Sequence, residues 1–147
     1  MRGVEEDGHM DEPFDIHPLE VSEQGKMWAV LSYLGTMMGV PLALIPLIQR
    51  EDEFALLHAR HALANYLAVL VIGGVYVVVT MPLALCTFGL STFVTLPLVF
   101  LLAAWPLVVI VHGLVLSVNG ERTEPIGGFG LGEMLFGRVT VKPEFLD

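Results

Sequence analysis

Between Arg60 and Glu121 the chain contains no Asp, Glu, Lys or Arg, an uncharged interval of roughly 60 residues. An interval of that length excludes a soluble fold, because a bilayer-crossing helix needs only about 20 mostly apolar residues and two fit here with a turn between them. Charged residues are scarce throughout, at 16% against about 25% in soluble domains. Cysteine is nearly absent as well: Cys86 alone rules out an intrachain disulfide framework and a four-thiolate metal site. A signal peptide's basic and apolar runs are missing from the start of the chain, where a lone Arg2 is followed by Glu5, Glu6, Asp7, Asp11 and Glu12. Insertion is therefore expected to rely on the spans themselves.

What is present is an all-α pattern, that of an integral membrane helical bundle with three transmembrane helices. Residues 1–25 read as a disordered acidic tail, 26–126 as the membrane domain, and 127–147 as a glycine-rich interfacial segment. Half of the 16 acidic residues precede Lys26, so the net charge of −9 belongs to the tail, where low hydrophobicity cannot offset the entropy of ordering. No nucleic-acid partner is expected.

The first span runs from Met27 to Ile48, framed by Lys26 and Arg50. Pro41 and Pro46 remove backbone donors, so the expected form is one kinked pass, with a re-entrant pair broken at Gly39-Val40-Pro41 as the alternative. Trp28 and Tyr33 suit the headgroup level. Gly35 and Gly39 form a Gly-x-x-x-Gly pair that admits a neighbouring helix. A hairpin follows, Ala62 to about Leu85 and Thr92 to about Val118, joined through Cys86 to Ser91; Met81-Pro82 is expected to close its first pass and Pro97 and Pro106 to kink its second. After Glu121, the glycines from Gly127 to Gly132 lack the Lys-Ser/Thr ending of a phosphate loop. Phe129, Leu131, Met134, Leu135 and Phe136 instead read as an interfacial segment, with Arg138 and Lys142 facing anionic lipid.

Polar groups inside such a bundle are costly and are the candidate functional residues. His58, His61 and Asn65 are spaced for one helix face. His58, Arg60 and His61 read as interfacial anchors or partner and lipid contacts, and Gly35 and Gly39 as a partner contact. Asn65 and His112 are placed at similar depth on antiparallel helices, which predicts a hydrogen bond between them. His58, His61 and His112 are the weak candidates for haem or metal, but no carboxylate or thiolate matches their depth, so neither cofactor nor metal is expected. Catalysis is not expected either: no Ser sits in a Gly-x-Ser-x-Gly turn and no buried acid orients His112. Lys and Arg flank the Gln49 to Arg60 link and the C-terminal segment but are absent from Cys86 to Ser91, which puts the former two on the cytoplasmic side of a bacterial inner membrane.

Several local strings resemble a known group. Trp28-Ala29-Val30-Leu31-Ser32-Tyr33-Leu34, Pro46-Leu47-Ile48 before a charged link, His58-Ala59-Arg60-His61-Ala62-Leu63-Ala64-Asn65-Tyr66, and Gly120-Glu121 followed by Pro125 are similar to a widespread family of small bacterial membrane proteins. It is classed as a domain of unknown function, is distantly similar to the chloroplast Tic-type import subunit, and includes magnetosome membrane proteins of the MamF type. The likeness covers Lys26 to Ile126. Arg122, Thr123 and Glu124 replace the family's usual aromatic residues. The resemblance implies a small helical membrane body without known catalysis; the apolar spans and small-residue faces themselves point to the bilayer and to other membrane subunits or copies of the chain as partners. The expected function is that of an accessory or scaffold subunit, the alternatives being a pore component or a histidine-ligated haem subunit.

Overall fold

The computed structural model describes residues 21–122, 125–126 and 128–142. Most of the acidic tail lies outside them; its last residues do not belong to a tail at all, since Ser22 caps a helix that starts at Glu23, accepting from the backbone N–H of Gly25 at 2.9 Å. Helices α1 (Glu23–Met37), α2 (Leu44–Gln49), α3 (Glu53–Cys86), α4 (Thr92–Asn119) and α5 (Leu131–Phe136) make up the described residues, with no strand among them.

The first apolar window is not one spanning helix. At 1.5 Å per residue α1 is about 22 Å long, short of a hydrocarbon core about 30 Å thick. It stops in a Schellman turn: Gly39 takes the left-handed conformation at φ +74°, Val40 N–H donates to the Gly35 carbonyl at 2.8 Å and Gly39 N–H to Thr36 at 3.2 Å. The chain then returns through α2, and Ser22 at the start of the window donates to the Asp52 carboxylate at its end, at 2.5 Å. This is the re-entrant alternative, and the described residues hold two helices long and apolar enough to span, not three. Gly35 is part of the same device. A methyl there would press on Leu42 and the Val40 carbonyl, so Gly35 and Gly39 both serve the turn-back of their own chain.

Contacts between α1 and α3 advance together, Tyr33 beside His58, Thr36 beside the Ala62 carbonyl and Gly39 beside Tyr66, so the two helices are parallel. α3 begins nine residues before the expected span, capped by Asp52, whose carboxylate accepts from Ala55 N–H at 2.8 Å. It also runs through Pro82 to Cys86, a proline near a helix end costing only local bonds. α4 matches its expected span and encloses Pro97 and Pro106. After α4 the chain climbs to Phe129, whose ring meets Trp105 at 5.5 Å. It then descends through α5 against α3, ending with Lys142 N–H on the Arg50 carbonyl at 3.1 Å.

Two re-entrant arms therefore buttress one half of a long hairpin. The core lies entirely in that half: Tyr33, Ala43, Leu56, Ala59, Ala62 and Ile110 pack together there. In the other half, no residue of α3's most apolar stretch is buried by the rest of the chain, and Val71, Val78, Phe93, Leu101 and their neighbours face outward. Lipid accounts for that outward apolar surface, which in water would be a large aggregation-prone patch.

Candidate functional site

Among the described residues, six buried polar side chains lie in the buttressed half, Ser32, Thr36, His58, His61, Asn65 and Ser117. Ser32, Thr36 and Ser117 are reconciled with burial by donating to the carbonyl four residues earlier, at 2.7 to 2.9 Å. His58 has a different role. Its Nε2 lies 2.9 Å from the Glu121 carbonyl, so that nitrogen carries the proton, and its Nδ1 lies 3.4 Å from the Tyr33 hydroxyl, which then donates to it. One neutral imidazole thus ties α1 to the segment that follows α4, with the Phe54 ring tilted against it at 58° and 4.5 Å between centroids.

Tyr33 is wholly buried, not set among headgroups, and its ring lies against Gly113 so closely that a methyl at that glycine would overlap it. In the sequence Tyr33 stood out only as a headgroup-level aromatic, and Gly113 not at all. The available signal was Gly113 itself, a lone glycine within the apolar α4 that offers a seat for an aromatic ring.

His61 is buried with its ring edge over Gly132 of α5. Arg60 is held away from bulk solvent: it bonds Glu133 at 2.8 Å and also donates to the Val139 carbonyl, fastening the C-terminal arm to α3. Asn65 donates across to the Pro106 carbonyl at 3.4 Å, whereas His112 accepts from Ile126 N–H at 3.0 Å. The expected Asn65 to His112 bond is therefore not formed, each residue instead meeting backbone. His58 and His112 face different partners, and among the described residues no group of three His, Cys, Asp or Glu gathers as a metal cage would require. Phe129, Met134 and Leu135 are exposed, and Phe136 packs on the core.

Chemically, this arrangement immobilises. Every polar side chain whose bond is described links one element to another or to its own helix. Comparison with known families matches residues 24–126 to the magnetosome magnetite crystal formation protein family, MamF/MmsF. Neither the curated proteins nor the solved structures give a match, and the wider likeness to Tic-type import subunits has no counterpart in these comparisons. With more than two thirds of its length matched and two apolar helices fit to cross a bilayer, the chain belongs to the magnetosome magnetite crystal formation family of membrane proteins.

Proposed function

We propose that the chain is an accessory or scaffold subunit of the magnetosome membrane, without catalysis of its own, which contributes to crystal formation by assembling with copies of itself or with other membrane proteins. The observation that carries this reading is the contrast between the two halves of the hairpin. One half is locked by the buried polar contacts and the two arms. The other offers Gly73 and Gly74 with nothing within 4 Å of where a side chain would begin, beside α4 residues that are mostly exposed. Small residues of this kind let helix backbones approach closely, which is where membrane helices gain packing energy.

The end carrying Ser22, Arg50, Arg122 and Lys142 is assigned to the cytoplasm, because basic residues concentrate there and are absent from the Cys86 to Ser91 turn. Both observed ends of the described chain then lie on that side.

Gly73→Leu tests the assembly. Two differently tagged copies of the full chain, co-expressed and extracted in mild detergent, are expected to co-purify as wild type and to separate at least tenfold more readily as Gly73→Leu, with Tm unchanged. Equal co-purification of the variant, or none for the wild type in native membranes, would remove this surface from the account.

A further inference from the structure

We propose that the cavity between the start of α3 and the segment after α4 binds the phosphate of a phospholipid headgroup. The cavity has a volume of about 470 Å³, and its walls include Glu53, Phe54, Leu57, Arg60, Arg122 and Val141. Its two guanidiniums come from segments distant in sequence and differ in character. Arg60 is fixed by Glu133 and the Val139 carbonyl, its side chain only 12% exposed, and its Nε is buried without a hydrogen-bond acceptor. The enclosed Nε touches no ligand itself, so Arg60 acts on the cavity through its field while Arg122 makes the contact. Arg122 is free to turn: its pair with Glu53 spans 3.4 Å between side chains 36% and 69% exposed, and exposed pairs of that kind hold weakly.

The depth fits a headgroup. From Glu53 to Arg60 the helix climbs about 10 Å, and the uncharged stretch starts directly above Arg60. The cavity therefore occupies the layer between water and hydrocarbon. Glu133 already offsets Arg60, so the charge that meets a phosphodiester is that of Arg122, released as the exposed Glu53 swings away into water. Phe54, Leu57 and Val141 supply an apolar wall for the glycerol and first methylenes, which a free anion lacks. Basic pockets between membrane helices recognise lipid headgroups by this combination. The site is independent of what the exposed half of the hairpin packs against.

The test is a calorimetric titration of the purified full chain in neutral maltoside micelles with short-chain phosphatidylglycerol, alongside inorganic phosphate and the corresponding diacylglycerol. Saturable binding of the phosphatidylglycerol at one site per chain is expected, with both comparators at least tenfold weaker. Arg122→Gln should weaken it about fivefold, the share of one basic side chain at a membrane surface. Glu53→Gln should tighten it by removing the carboxylate that competes for Arg122. Arg50→Gln, exposed and outside the cavity lining, should leave it unchanged. Equal losses in Arg122→Gln and Arg50→Gln would reveal diffuse attraction and overturn the site. Inorganic phosphate binding as tightly as the lipid, or no saturation, would overturn it too.

Discussion

Gly113→Ala is expected to lower the unfolding free energy by about 3 kcal/mol, the upper end of what overpacking a closely filled core costs. The added methyl overlaps the ring carbons and hydroxyl oxygen of Tyr33, and the ring has nowhere to go. Tyr33 is wholly buried and its hydroxyl is held toward His58, so relief requires moving α1 off α4. By comparison, losing an interhelical hydrogen bond in a membrane protein costs about 0.6 kcal/mol on average, which is why this glycine outranks the polar contacts singly. Reversible unfolding in mixed micelles measures the loss. Tyr33→Leu, which shortens the obstructing side chain, should recover part of it in the double variant, because sites in direct contact are not additive. A Gly113→Ala protein within about 0.5 kcal/mol of wild type, the range of an inert surface change, would show that α1 does not seat on α4 as described.

His58→Leu is expected to cost about 2 kcal/mol. The variant keeps an apolar side chain against Phe54 but withdraws the acceptor from Tyr33 and the donor from the Glu121 carbonyl. A buried polar group stripped of its partner costs about 1–3 kcal/mol. Glu121 is exposed and its carbonyl regains water, so most of the penalty falls on the Tyr33 hydroxyl. The discriminating comparison is Tyr33→Phe, which should cost about 1 kcal/mol in the wild-type chain and should instead recover stability once His58 is Leu. If Tyr33→Phe costs the same in both backgrounds, the hydroxyl and the imidazole are not coupled and the link between α1 and the chain after α4 fails.

The two long helices were legible because hydrocarbon imposes a simple rule, a long apolar run without charge, and α3 and α4 obey it. The first window obeys the same rule and yet turns back. Its apolar content records the surrounding solvent, whereas its path is set by Gly39 and Pro41, a helix stop followed closely by a residue that cannot resume it. The Gly35 and Gly39 spacing, read as a helix-docking pair, also belongs to that stop. The Asn65 to His112 pairing failed for a related reason. Depth was counted from the edges of the apolar runs, but α3 starts at Glu53, well below its run. Asn65 is then about 18 Å above the start of α3, level with Pro106 at about 20 Å from the end of α4, while His112 is only about 10 Å from it. Tyr33 and Gly113 were illegible as a pair, since nothing in the order of residues announces which ring meets which glycine across 80 positions.

The account stands on the first apolar window entering and leaving by one surface. Single-cysteine labelling in oriented membrane vesicles tests this, using native Cys86 at the exposed turn between α3 and α4 and, in a Cys86→Ser background, Gln24→Cys at the exposed start of α1. A membrane-impermeant maleimide is expected to reach the two cysteines from opposite sides, whichever side is the cytoplasm. Labelling of both from the same side would make the window a full crossing and contradict the fold.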